Sequence, residues 1–135
     1  MPGETAVPGS VAGKTGTPSP AITGTLFAVT VNCVDDYWNK VTTATSLVTV
    51  NTSDQYDTEP APANLIAGGI TYNVTPATAG ALLITAKTAG YTQSVSPSIT
   101  VNPGSAVKLQ LLLPGETAVA GSPTGKTGTA SSTIA

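Results

Sequence analysis

The sequence predicts an all-β protein, an antiparallel β-sandwich of about seven short strands. Three observations carry this. Short segments alternate apolar and polar residues and are bounded by Gly, Pro, Asn and Asp. Thr is the most frequent residue, with 24 copies, and Thr and Val favour pleated strands. No segment repeats its apolar residues at the helical period, and many short strands with Gly/Pro turns and no helices read as a sandwich.

In chain order, residues 2–24 are rich in Gly, Pro, Thr and Ser and read as an irregular or edge segment. Leu26–Val34 alternates, with Phe27, Val29, Val31 and Cys33 on one face and Ala28, Thr30 and Asn32 on the other. Asp35–Lys40 is a turn. Thr45–Thr52 alternates again with Val48 and Val50 inward, and Ser53–Ala63 is a polar loop with two prolines. Asn64–Ala67 is a short strand. Gly69–Thr75 puts Ile70, Tyr72 and Val74 on one face, and Thr78–Gly80 turns the chain. Ala81–Lys87 follows with Leu82, Ile84 and Ala86 inward, Tyr91–Pro97 is a loop, and Ile99 and Val101 mark another strand. Val107–Leu113 (VKLQLLL) alternates with Val107, Leu109, Leu111 and Leu113 on one side. The expected core is Phe27, Val29, Val31, Val48, Val50, Tyr72, Val74, Leu82, Ile84, Ile99 and Val101, facing between two sheets.

The end of the chain repeats its beginning. Pro2–Val7 and Pro114–Val119 both read PGETAV, and both run on to GKTGT, at an offset of 112 residues. Between residues 2–22 and 114–134, 15 of 21 positions are identical. A fixed offset of this kind marks a tandem array of one structural unit. The chain is therefore expected to be one repeat and the opening of the next, cut from a longer protein. Met1 stands where the other copy has Leu113. The start, MPGETAV, has neither a charged nor an apolar leader region, so any secretion signal is expected elsewhere in the parent.

Composition excludes several classes. The net charge is −2 and only 9% of residues are charged, which leaves no basic patch for nucleic acid. All five basic residues are Lys; there is no Arg for a bidentate grip on phosphate and no His for general-base or metal chemistry. No nucleophile–base pair suggests an enzyme. No apolar run reaches the ~20 residues that cross a bilayer as a helix, so no membrane insertion is expected.

The motifs read plainly. GKTGT lacks the spacing of a phosphate loop, since Gly9 precedes Gly13 and Gly121 precedes Gly125 by too few residues, and GTPSP cannot open a helix. It reads as a Gly-rich kink at a domain edge. Asp35 and Asp36, and Asp54, Asp57 and Glu59, form two acidic groups flanking one strand, so they are expected at opposite ends. Either could take Ca²⁺ with help from a neighbouring domain, but solvated turn residues are the ordinary reading. The single Cys33 is expected buried and inert. Tyr37 and Trp38 share a loop, where a sugar-stacking surface is conceivable. Asn51–Ser53 and Asn73–Thr75 match the glycosylation acceptor by composition. Lys87 and Lys108 fall on outward faces, which argues against an internal isopeptide crosslink.

The strings FAVTVNCVDDYWNKV, VTVNTSD, ITYNVTPATAGALLITA and SITVNPGSAVKLQLLLPGET resemble the bacterial Ig-like repeats of giant cell-surface proteins, similar to invasin/intimin-type modules. In such repeats an aspartate and an asparagine close the turn after the second strand, matched by Asp35 or Asp36 and Asn39. A Thr-Ala-Gly turn precedes the sixth strand, matched by Thr78–Gly80. Trp38 takes a place that is often Gly. The resemblance implies an Ig-like sandwich in which VKLQLLL is a domain's first strand. Residues 2–106 are then a body lacking its own first strand, and 107–135 are the first strand and opening segment of the next repeat. The function this implies is a structural building block of an extracellular fibre or cell-surface stalk. It would assemble head-to-tail by donating the strand that carries Val107, Leu109, Leu111 and Leu113 to copies of itself or neighbouring repeats. The alternative is an adhesin or glycan-binding module using Tyr37 and Trp38 against a surface glycan or protein.

Overall fold

The computed structural model describes residues 1–132, and among them the fold is all-β with no helix. The strands in chain order are β1 (Glu4–Ala6), β2 (Lys14–Gly16), β3 (Ala21–Ile22), β4 (Phe27–Asn32), β5 (Leu47–Thr52), β6 (Ala63–Asn64) and β7 (Gly69–Val74). They continue with β8 (Gly80–Leu82), β9 (Ile84–Lys87), β10 (Ser94–Val95), β11 (Ile99–Asn102), β12 (Glu116–Ala118) and β13 (Lys126–Gly128). They form several small sheets: β4 with β7, β10-β9-β5-β6, β3-β11-β8, and the two separate hairpins β1-β2 and β12-β13. Most pairs are antiparallel; β3 runs parallel to β11.

The chain passes from one sheet to another within residues 80–87. β8 pairs with β11, while β9 pairs with β5 and β10. Leu82 and Ile84 are both buried and Leu83 between them is exposed, so side-chain alternation runs straight through the break. Ser53 holds the crossing point. Its N–H donates to the Leu83 carbonyl at 2.9 Å, and its Oγ accepts the Leu83 N–H at 3.0 Å. Ala81–Lys87, expected as one strand, is thus two strands with different partners.

Three sheets close on one core of Val29, Val48, Val50, Tyr72, Val74, Leu82, Ile84, Ile99 and Val101, joined by Ala21, Ala44 and Leu65. The expected register holds, because Thr30, Thr49 and Thr85 are not buried. Tyr72 keeps its ring in the core and donates its hydroxyl to the Val48 carbonyl at 2.8 Å, so its polar end is satisfied.

Several expectations are corrected. Phe27 and Val31 are half-buried, because among the described residues β4 pairs with β7 alone and stands at an edge. Cys33 is half-buried too, with a free thiol packed against the core. Residues 2–24 contain a hairpin and β3, and the 91–97 loop contains β10. Val107–Leu113 forms no strand. The end of the second copy, Thr133 and Ile134, lies outside the described residues.

Val50 and Val31 permit a controlled comparison. Val50→Ala empties a fully buried site and should cost about 1–3 kcal/mol in urea unfolding, whereas the same truncation at Val31 should cost clearly less. Equal losses would show that something covers the β4 edge in solution.

Candidate assembly site

The candidate site is built from the two hairpins, the two ends of the body and the segment between β11 and β12. The hairpins fold alike in different surroundings. Glu4↔Gly16, Thr5↔Thr15 and Ala6↔Lys14 recur as Glu116↔Gly128, Thr117↔Thr127 and Ala118↔Lys126. Ser10 Oγ donates to the Val7 carbonyl at 2.8 Å and accepts the Gly13 N–H at 2.9 Å. Ser122 does the same with Val119 and Gly125, at 2.8 and 3.0 Å. Each stem carries one ion pair at 2.7 Å, Lys14–Glu4 and Lys126–Glu116. The hairpin's shape is therefore set by its own residues.

The first hairpin sits at the end of the body formed by the Asp35–Asn39 turn. Asp35 closes that turn, not Asp36. Its Oδ1 accepts the N–H groups of Tyr37 and Asn39 at 2.8 and 2.9 Å, and its Oδ2 accepts the Asn39 Nδ2 at 3.0 Å. Bonds from the Asn39 side chain and then its backbone N–H, with a lesser one from the Tyr37 N–H, hold the Asp35 carboxyl below its usual pKa against the opposing effect of burial. Trp38 has φ 65°, the left-handed region that favours Gly. Its indole lies against Gly13 and its Nε1 donates to the Val11 carbonyl at 3.3 Å. Gly9 donates its N–H to the Tyr37 carbonyl at 2.7 Å. Tyr37 is exposed, but Trp38 spends one face and its only donor on the hairpin, which weakens the case for a sugar-stacking surface.

The opposite end is organised by Asp54, whose side chain is buried. Oδ2 accepts the N–H groups of Ala77 and Thr78 at 2.8 and 2.7 Å; Oδ1 accepts the Thr78 hydroxyl at 2.8 Å and the Tyr56 N–H at 3.1 Å. The second hairpin rests here. Val119 and Ala120 form one wall of a cleft whose other walls are Ser53–Tyr56 and residues from Thr78 to Leu82. The Cα of Gly121 approaches the Thr78 hydroxyl and the Tyr56 ring so closely that a Cβ could not be added. The two acidic groups do lie at opposite ends, since β5 and β7 each run six residues, roughly 20 Å, between them. Among the described residues no three acidic, His or Cys side chains converge as metal ligands.

Between β11 and the second hairpin, the predicted donor strand lies in the open. Val107 is 86%, Leu109 101%, Leu111 76% and Leu113 47% exposed. Polar atoms tie the segment to the hairpin. Gln110 Nε2 donates to the Gly125 carbonyl at 2.7 Å, and Leu113 N–H to Glu116 Oε2 at 2.9 Å. Alternation marks this segment as a strand, but among the described residues it pairs with no other strand. The hairpins were missed by apolar periodicity because they contain almost no core residues. The repeated Glu, Ser, Lys and Gly positions were the signal available. No protein-family model, characterised protein or solved structure matches the chain.

Two aspartates at this end of the body have opposed titrations. Burial acts to raise the Asp54 pKa, but the bonds from Thr78, Tyr56 and Ala77 outweigh it and hold the carboxyl below its usual value. Asp57 is raised: burial dominates, the Thr52 hydroxyl opposes it, and the Asp54 charge adds to it. Asp57 Oδ1 is buried with no hydrogen-bond partner among the described residues. With a raised folded pKa, Asp57 makes the folded state bind more protons, so stability rises as pH falls through that value. Asp54 contributes stability above its unfolded pKa and loses it as pH falls through its depressed folded value. Melting temperature should therefore rise from neutral to mildly acidic pH and drop at lower pH. Asp57→Asn should remove the rise and stabilise the protein at neutral pH; an unchanged profile would contradict this assignment.

Proposed function

We propose that this chain is an Ig-like repeat of an extracellular fibre or cell-surface stalk, in which residues 107–113 of one unit supply a strand to the next. The observation that carries this reading comes from the two copies. Met1 occupies the position that Leu113 holds in the second copy, and Met1 packs against the core of its own body. The end of the donor segment is thus delivered to the body that follows it. Further back in that segment, Val107, Leu109 and Leu111 are largely exposed. The open edge of β4, with half-buried Phe27 and Val31, is an acceptor of the matching kind.

Burying Val107, Leu109, Leu111 and Leu113 is worth roughly 6–12 kcal/mol gross, against the cost of ordering the segment. A strand passed from one molecule to the next is a head-to-tail contact that does not close, so it propagates as a filament. A low-charge, Thr-rich surface without a catalytic constellation suits a spacer whose length scales with repeat number. The surroundings of Trp38 favour this over the adhesin reading.

The full chain is expected to form end-to-end oligomers in sedimentation velocity and electron micrographs. Leu109→Asp/Leu111→Asp in the full chain, and a chain ending at Gly104, should both remain folded by circular dichroism and lose those oligomers. If either variant assembles like the parent, strand donation is wrong.

A further inference from the structure

We propose that the Glu4–Gly16 hairpin is a two-faced connector clamped between consecutive repeats. Its Gly13 face holds the Trp38 turn of its own body, and its Gly9 face takes the Asp54–Thr78 seat of the body before it. This rests on the tandem-repeat reading but not on strand donation. The partner is therefore a second copy of the repeat body, presented end to end.

The two copies each display one half of the junction. In the first copy the body follows the hairpin. Gly13 is covered by the Trp38 indole, so that a Cβ would run into the ring, while the Cβ position of Gly9 opens on empty space. In the second copy the body precedes the hairpin, and the pattern inverts. Gly121, the counterpart of Gly9, is pressed on the Thr78 hydroxyl with the Tyr56 ring 3.2 Å from where its Cβ would stand. Gly125, the counterpart of Gly13, meets only the tip of the Gln110 side chain at 3.2 Å.

The two faces do not compete. Gly9 uses its N–H on the Tyr37 carbonyl of its own body, and that bond leaves its Cα face free. The same Cα face in Gly121 is the one occupied by the preceding body. One hairpin can hold both partners at once. The glycines match in conformation as well, with φ 76° at Gly9 and 79° at Gly121, and 72° at Gly13 and 75° at Gly125. Any strain from adding a side chain is therefore the same within each pair, and a difference in effect reports the neighbour.

The test uses five variants of the full chain. ¹⁵N relaxation should show amides 116–128 tumbling with the body in the parent. Gly121→Ala should release them to independent, faster motion while their hairpin hydrogen bonds persist; Gly9→Ala should not. Gly13→Ala should shift the emission of Trp38, the only tryptophan, towards that of exposed indole, and Gly125→Ala should leave it unchanged. Tyr56→Ala, which leaves the hairpin's own sequence unchanged, should reproduce the release seen with Gly121→Ala. Independent tumbling of 116–128 in the parent would overturn the proposal, as would equal effects within either glycine pair. Loss of oligomers in Leu109→Asp/Leu111→Asp bears only on strand donation, so the two ideas fail separately.

Discussion

The body depends most on one buried carboxylate. Asp54 follows β5, and its donors at Ala77 and Thr78 follow β7, so its two oxygens tie together strands from different sheets. Burying a carboxylate without partners would cost several kcal/mol. Three backbone N–H groups and a hydroxyl satisfy it here, and the charge-assisted bonds are among the stronger ones available to a protein. The same four donors shape the loop on which the second hairpin rests. Asp57 lies at the same end with only the Thr52 hydroxyl as a donor among the described residues, and burial, with a smaller contribution from the Asp54 charge, drives it towards its neutral form.

The sheets are small and the chain compensates by routing single segments through two of them. Leu83 is the pivot, with its N–H and carbonyl both taken by Ser53 while Leu82 and Ile84 stay inward. Strand pairing therefore changes without interrupting the core. This lets so few apolar residues serve three sheets, and it leaves edges. β4 is one such edge, and its half-buried Phe27 and Val31 are its physical mark.

What was legible in the sequence was which way side chains point. Val48, Val50, Tyr72, Val74, Leu82, Ile84, Ile99 and Val101 were all readable as inward from period-two alternation, and all are buried. Alternation does not record the partner. It could not reveal that 80–87 changes sheets, and it made 107–113 look like a strand although that segment pairs with no strand among the described residues. Trp38 was legible only as a departure from a familiar turn; its left-handed backbone and its contact with Gly13 depend on a hairpin distant in sequence. That hairpin was invisible to hydrophobic patterning because ion pairs, a serine bridge and glycines hold it rather than a core.

The internal repeat is itself an argument about which atoms matter. The positions that differ between the copies include Pro8/Ala120, Val11/Pro123 and Ala12/Thr124, all in the hairpin's connecting loop. Val11 is fully exposed, and what the turn takes from it is its carbonyl, bonded to the Trp38 indole. A proline in its place keeps that carbonyl and gives up an N–H. The glycines that face a neighbour, the serine that bridges the loop and the Glu–Lys pair across the stem are the same in both copies. Outside the loop the copies also differ at Pro18/Ala130, Pro20/Ser132 and Ala21/Thr133, and Ala21 belongs to the core of the first body. Within the loop, the three varying positions leave these features in place. A loop free of such contacts would have no reason to divide its positions in this way. Retention of Gly9/Gly121 and Gly13/Gly125 is what the proposed two-faced connector requires.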